Sequence, residues 1–285
     1  MRRGILEGME SELTLMAVHA HPDDEVLSTG GIFARYAEEG VRTVLVTCTN
    51  GEQGDGPGGV KPGEPGHDEE AVRETRLAEL RDSVTHLGIQ HVELLGYRDS
   101  GMVGWDANSR DDVFANVPLA QSAAKLTALM DKYRPQVLVT YDENGGYGHP
   151  DHIQAHRIAV VAAEAQRERR GLPHKLYHTA MPRSRFRAMG PLLQEAGVDF
   201  DFNFDELPED FGTPDEKVTT YVDVRPYVER KRKALAAHAS QADNIFFLRL
   251  PDDLLPQVLG TEAFVRVKSD VAVPDDEDDL FAGIR

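Results

Sequence analysis

The sequence predicts an α/β fold, a mostly parallel sheet with helices on both faces, in a single domain with an irregular C-terminal part. Two observations lead there. From Leu13 to Arg167, short apolar runs rich in β-branched residues alternate with longer stretches of helical spacing, the pattern of parallel strands joined by crossover helices. The loops after three of those runs hold the chain's densest collection of His, Asp and Gly, where open parallel sheets gather their ligands.

Leu13 to Ala20 (LTLMAVHA) opens the pattern as a strand. Ser28 to Glu39 follows as a helix, with Ile32, Phe33 and Tyr36 at helical spacing and Gly40 as its stop. Val41 to Thr49 is β-branched and reads as the second strand. Glu70 to Leu87 carries Leu77, Leu80, Val84 and Leu87 at helical spacing before Gly88. His91 to Tyr97 reads as a third strand, Leu119 to Tyr133 as a helix, Gln136 to Asp142 as a fourth strand and Asp151 to Arg167 as a helix. Beyond them Lys175 to Ala180 and Val218 to Val224 read as strands, and Pro226 to Ser240 as a charged amphipathic helix. The expected organisation is a flexible N-terminal extension over 1–12, with Met9 as an alternative start, a domain over 13–270 and an acidic tail over 271–285. Within that tail, Pro274 to Asp279 (PDDEDD) reads as a solvated, mobile segment.

With 285 residues, 40% hydrophobic and 28% charged, the chain suits an ordered globule. Its 31 Lys and Arg against 49 Asp and Glu give a net charge of −18, a field that repels phosphate backbones and anionic lipid. Neither nucleic acid nor a membrane is therefore an expected partner. No apolar run approaches membrane-spanning length, and the first residues lack the apolar core of a secretion signal. Cys48 is the only cysteine, which removes intrachain disulfides and multi-thiolate metal sites and makes a reducing cytoplasm the expected compartment.

The chemistry concentrates in HAHPDDE (His19 to Glu25) and GHPDH (Gly148 to His152), each ending an apolar strand and opening a helix. A divalent metal such as zinc takes about four nitrogen, oxygen or sulfur ligands, and without thiolates these are imidazoles and carboxylates. His21 and Asp24, three residues apart on a turn entering a helix, can face one centre. His152 then supplies a third ligand and leaves a position open for water, the mark of a catalytic site. Asp23 is left beside the metal as the base for that water, with His149 and Tyr147 as donors for the leaving amine and the oxyanion. Asp151 reads as the carboxylate that fixes the tautomer of His149 and keeps that ring cationic, or as a helix N-cap. Either segment alone reads equally well as helix capping; their pairing at two strand ends of one sheet is what points to a metal.

Other signals carry less. Gly54, Gly56 and Gly59 match G-x-G-x-x-G, but Pro57 interrupts them and no helix follows, so a flexible loop bordering the site is the better reading. His156, one turn after His152, reads as a packing or solvated histidine rather than a fourth ligand, His19 as a buried neighbour of the site, and Cys48 as a core thiol. Trp105 either stacks on a sugar face or anchors its loop.

HAHPDDE and YDENGGYGHPDH resemble the two signature segments of the LmbE-like (PIG-L-type) zinc N-deacetylases. The similarity extends to Cys48-Thr-Asn-Gly-Glu-Gln-Gly, Arg76-Leu-Ala-Glu-Leu, Arg98-Asp-Ser-Gly-Met and Asp279-Leu-Phe-Ala-Gly-Ile. Within that family the chain most resembles the mycothiol-pathway enzymes, the deacetylase of N-acetylglucosaminyl-inositol and the mycothiol-conjugate amidase. Leu27 stands where the amidases carry a lysine, and Arg98-Asp-Ser-Gly-Met is deacetylase-like, while Asp111 to Leu119 and Tyr141-Asp-Glu-Asn look amidase-like. The resemblance implies a Rossmann-like sheet and one Zn2+ per chain, or Fe2+ in the cell, on His21, Asp24 and His152. It implies Asp23 as general base, His149 as stabiliser or acid with Asp151 as its partner, and Tyr147 as a mobile phenol contacting the oxyanion. It further implies Arg76 and Asp99 as sugar-binding groups and Glu52 on the inositol side. The expected activity is hydrolysis of an N-acetyl amide on a glucosamine-containing small molecule of the N-acetylglucosaminyl-inositol type. Its alternatives are the conjugate amidase reaction, deacetylation of a natural-product amino sugar, and a metal-binding regulatory protein without turnover. Against the last stands Asp23, superfluous for merely holding a metal.

Overall fold

The computed structural model describes residues 12–195, 197, 211–241 and 247–285. Strand β1 (Thr14–His19) is buried along its whole length, with Leu15 and Ala17 in one hydrophobic cluster and Met16 and Val18 in another. Burial on both faces is why the run is continuously apolar instead of alternating. Strands β2 (Arg42–Thr49), β3 (His91–Tyr97), β4 (Val137–Thr140) and β5 (Lys175–Ala180) extend it in parallel. With β6 (Thr220–Asp223) and β7 (Thr261–Ser269), which pair antiparallel at one edge, they form a seven-stranded sheet of order β3-β2-β1-β4-β5-β7-β6.

Helices α1 (Asp24–Leu27), α2 (Gly30–Glu38) and α3 (Glu69–Leu87) follow β1 and β2. Ile32, Phe33 and Tyr36 of α2 and Leu80, Val84 and Leu87 of α3 pack on the face that holds Leu15 and Ala17. Helices α4 (Leu119–Tyr133) and α5 (Pro150–Arg170) bring Leu126, Met130, Ala155 and Ile158 to the face of Met16 and Val18. The crossovers thus change face where the strand order reverses, between β1 and β4, and a crevice opens there at the carboxyl ends of the strands. Local sequence sets the helix limits: the Asp68 carboxylate accepts the Glu70 and Ala71 N–H groups at the start of α3, and Gly88, at φ 73°, ends it.

The C-terminal elements are α6 (Arg183–Glu195), α7 (Val228–Ala237) and α8 (Leu255–Leu259), with β7. The sequence reading has neither β7 nor α6, although TEAFVRVKS is rich in β-branched and aromatic residues. Both β7 and α7 reach the start of α2. Glu262 of β7 accepts the Gly31 and Ile32 N–H groups at 2.7 and 2.8 Å, capping α2 from outside its own segment, and Lys231 of α7 donates to the same carboxylate at 2.7 Å. Among the described residues no helix is long and apolar enough to cross a membrane. The expected extension over 1–12 lies outside the described residues except for Glu12.

The acidic run corrects its sequence reading in part. Asp275, Asp276 and Asp278 are exposed, but Glu277 is buried, and Leu280 and Phe281 are completely so. The reason lies in the sheet: Lys175 is fully buried on β5 and needs a counter-charge, which Glu277 supplies at 2.6 Å while also accepting from Tyr177, Thr220 and Arg266. Burial alone pushes the Glu277 carboxyl up; the hydrogen bonds from Lys175, Thr220 and Tyr177 outweigh it and hold it below the ordinary range. Replacing Glu277 with Ala leaves Lys175 unpaired and is expected to cost about 3–5 kcal/mol at pH 7. Since the folded carboxyl titrates below its unfolded value, the contribution is present at neutral pH and disappears as pH falls through the folded pKa. Urea unfolding at neutral and acid pH should therefore show the gap between wild type and variant closing on acidification.

Candidate active site

The crevice at the strand reversal is built from the segments that follow β1, β2, β3 and β4. It encloses about 460 Å³, and among its walls stand His21, Asp23, Asp24, Arg76, Asp99, Tyr147 and His149. The turn after β1 enters α1 so tightly that the Asp24 carboxylate accepts the His21 N–H at 2.7 Å. The loop after β4 approaches α5 so closely that a Cβ on Gly145, at φ +64°, would lie 2.6 Å from the His152 Cβ. Pro150 occupies the first turn of α5, and His152 follows within that turn.

Donor atoms of three residues converge. His21 Nδ1 lies 3.2 Å from His152 Nε2 and 3.4 Å from Asp24 Oδ2, and His152 Nε2 lies 3.4 Å from Asp24 Oδ1. Ligands about 2.1 Å from one tetrahedral ion stand roughly 3.4 Å apart, so this triangle has the size of a metal's coordination face. Charge agrees with geometry. Burial works against ionisation of Asp24, but the His152 and His21 rings overcome it and hold its carboxyl well below the usual range. Burial pulls the His21 pKa down, and the surrounding Asp99, Asp151 and Asp24 carboxylates reverse that and raise it well above normal. The cluster, in short, demands positive charge at its centre. Burial keeps the His152 ring neutral, its pKa pulled down to about 4, as a ligand nitrogen requires.

Tyr141, which ends β4's segment, braces this triangle: its hydroxyl donates to Asp24 Oδ2 at 2.8 Å and accepts the Ala20 N–H at 2.9 Å. Behind His21, Nε2 faces Asp151 Oδ2 at 3.2 Å and Asp99 Oδ1 at 3.5 Å. A carboxylate on the far nitrogen fixes which nitrogen faces a metal and strengthens it as a ligand. Ser100 donates its N–H to Asp151 at 2.8 Å, and Arg76 Nη1 stands 3.9 Å from Asp99.

Asp151 therefore departs from its expected place. Its carboxylate belongs to His21, and what reaches His149 is its backbone N–H, which donates to Nδ1 at 3.1 Å. His149 is accordingly held with its proton on Nε2, and it is not cationic: burial and the neighbouring His21 ring pull its pKa down to about 3. Its ring nitrogen also lies within 4.8 Å of those of His21 and His152, and a second cluster of that size joins His21, Asp99, His149 and Asp151. Tyr147, more than half exposed, leans over the site with its hydroxyl 3.4 Å from His152 Nε2.

Asp23 sits beside the triangle and is fixed by Arg76, whose Nη2 donates to its Oδ2 at 2.9 Å and to the Pro22 carbonyl at 2.6 Å. Burial raises the Asp23 pKa and Arg76 pulls it back, leaving about 6, close to neutrality. The arginine fits because Gly51 has no side chain; a Cβ there would lie 2.6 Å from Arg76 Nη1.

Glu52 is the predicted residue that the structure removes from the cleft. Its buried carboxylate accepts the Asp99 N–H at 3.0 Å and the Asn50 side-chain amide at 2.9 Å, so it shapes the loop carrying Asp99 rather than facing a ligand. His156 bonds the Tyr141 carbonyl and stands apart from the triangle; His19 is buried between Tyr141 and Thr29, and Cys48 in the core. Trp105 lines the cleft, as do Gln53, Gly54, Lys61 and Gln241, the last three from the glycine-rich loop and the end of α7's segment. The sequence reading missed the cleft positions of Gln53, Lys61 and Gln241, and the bracing by Tyr141 and Ser100. A buried hydroxyl at a strand end next to a metal motif was the one available signal.

Comparison with known proteins agrees with this geometry. The family model described as GlcNAc-PI de-N-acetylase (PIG-L) matches residues 16–163. A 1D-myo-inositol 2-acetamido-2-deoxy-alpha-D-glucopyranoside deacetylase of Catenulispora acidiphila is 42% identical over 291 residues, covering 95% of this chain and 89% of its own. The fold is shared with an N,N'-diacetylchitobiose deacetylase of Pyrococcus horikoshii, at TM-score 0.56 and 20% identity over 89% of this chain and 83% of that one. It is shared equally with a 4-carboxy-2-hydroxymuconate hydratase of Pseudomonas putida, at TM-score 0.59 and 17% identity over 92% and 99%. Architecture alone thus does not choose a reaction, whereas the family match and the close relative extend over the motifs that build the cleft: this chain belongs to the GlcNAc-PI de-N-acetylase (PIG-L) family.

Proposed function

We propose that the chain hydrolyses the N-acetyl amide of an N-acetylglucosaminyl-inositol, releasing acetate and the free amine, with one zinc ion held by His21, Asp24 and His152. The observation that carries the reading is the triangle of donor atoms 3.2–3.4 Å apart with a carboxylate, Asp23, beside it and outside it. Two imidazoles and one carboxylate suit zinc, and they leave room in its coordination shell. When bound, such an ion supplies Lewis acidity, polarising an amide carbonyl and acidifying water. A cleft of about 460 Å³ accepts a molecule of disaccharide size, in line with the substrate named for the Catenulispora relative.

The protein's own groups then divide the work. Asp23, with a pKa near 6, accepts the proton of the attacking water as its oxygen bonds to the carbonyl carbon. As the C–N bond breaks, the same carboxyl returns that proton to the departing nitrogen, so acid and base are one residue. His149 Nε2–H donates to the oxygen on which negative charge develops, since its Nδ1 is occupied by the Asp151 N–H. Tyr147, on the loop between β4 and α5, adds a second donor from its hydroxyl. Arg76 and Asp99 contribute the polar wall for the sugar, and Arg76 keeps the base in place.

Purified, zinc-loaded protein should release primary amine from N-acetylglucosaminyl-inositol, read by an amine-reactive dye. No release from that compound, with rapid hydrolysis of another amide, would overturn the substrate. Replacing Asp23 with Ala should leave the zinc content unchanged and lower kcat by about 10²–10⁴. His21→Ala and His152→Ala should lose zinc, measured by elemental analysis. For His149→Ala the expected outcome is full zinc occupancy with kcat down by about 10²–10³; lost zinc would instead place His149 among the ligands.

A further inference from the structure

Asp23 holds a backbone conformation that residues with a side chain rarely adopt, φ +121° and ψ −27°. Such strain persists only where the surroundings over-determine it, and it concentrates where an atom must be aimed. Arg76 grips the carboxylate and the preceding carbonyl, but neither bond fixes the Asp23 N–H. That hydrogen bond is supplied by Glu25 Oε2, at 2.9 Å.

Glu25 has no other evident task. Its side chain is completely buried and does not line the cleft, so it meets neither substrate nor metal. Its second oxygen is held by His238 Nε2 at 2.7 Å and by the Ser83 hydroxyl at 2.5 Å, both residues also completely buried. The three partners come from the turn after β1, from α3 and from the residue that ends α7. Burying a carboxylate is costly unless every oxygen is satisfied. An apolar residue would fill this space more cheaply, so the network is explained by what it holds.

We infer that Glu25 and His238 are positioning residues for Asp23: Glu25, held from behind by both His238 and Ser83, clamps the Asp23 N–H and, through it, the strained backbone that aims the carboxylate into the cleft. The inference rests on the reading of Asp23 as the base. It gives the C-terminal helix α7 a part in the reaction without touching substrate, and it makes Glu25, the fifth residue of His-Pro-Asp-Asp-Glu, the link between the turn after β1 and the rest of the fold.

The test uses the full zinc-loaded chain with N-acetylglucosaminyl-inositol, and N-acetylglucosamine as a second amide. Glu25→Gln keeps the shape but only one acceptor oxygen; it should lower kcat by about 10–100-fold, the effect of small misplacements of a reacting group, with KM within about twofold. Zinc content and thermal midpoint should stay near wild type. His238→Ala should lower kcat about tenfold, and His238→Gln, which restores an N–H near the same place, should recover most of it. Wild-type kcat in both Glu25→Gln and His238→Ala, with Asp23→Ala inactive, overturns this inference and leaves the base assignment standing. Loss of zinc in step with kcat overturns it too, because the network would then support the ligand turn as a whole. An active Asp23→Ala removes the base assignment and this inference with it.

Discussion

Everything at the site depends on one topological fact, the reversal of strand order between β1 and β4. Neighbouring strands whose crossovers leave to opposite faces part at their carboxyl ends, and the two His-Pro-Asp segments lie in the connections that lead from those ends into α1 and α5. Only there can a turn after β1 and a helix start after β4, far apart in sequence, meet across one atom's width. His21, Asp24 and His152 do so with spacings of 3.2–3.4 Å. The continuous burial of β1 on both faces is what makes that meeting rigid.

The same meeting creates an electrostatic problem that shapes the surroundings. Asp23, Asp24, Asp99 and Asp151 crowd one buried region, and uncompensated carboxylates do not survive burial. A metal held there would answer part of the demand; Arg76 answers more, lying between Asp23 and Asp99 with three backbone and side-chain acceptors of its own. Serine, tyrosine and backbone N–H donors supply what remains, as Ser100 does for Asp151 and Tyr141 for Asp24. The acidic run near the C-terminus serves a separate end, with Glu277 neutralising the buried Lys175 on β5.

How much of this was legible follows from how local the signals are. Strands β1 to β5 and helices α2 to α5 stand within a few residues of their predicted limits, because continuous apolar runs and glycine stops at Gly40 and Gly88 act over short distances. The convergence of His21, Asp24 and His152 could be read because their motifs are compact. What escaped depends on partners far along the chain: Glu262 capping α2, His238 behind Glu25, Glu277 under β5. An acidic residue in a sequence reads as solvated until the buried cation it serves is in view. Glu52 reads as a substrate-facing group for the same reason, since its partner is the Asp99 N–H, invisible to side-chain pattern.

Asp151 shows how backbone and side chain of one residue can divide two duties that sequence merges. A cationic His149 next to a metal would meet repulsion from the ion, so an arrangement in which Asp151's carboxylate charged that ring would work against the site. The structure avoids this by spending the carboxylate on His21, behind the metal face, and only the neutral N–H on His149. That N–H selects the tautomer with hydrogen on Nε2 and adds no charge. In the proposed reaction the ring is then a neutral donor beforehand and would gain its strongest interaction only when negative charge appears on the substrate oxygen, which is where stabilisation raises a rate instead of merely tightening binding. The hydratase that shares this fold shows that the sheet itself is indifferent to the reaction; the chemistry lies in these few placements of protons and charges at the strand reversal.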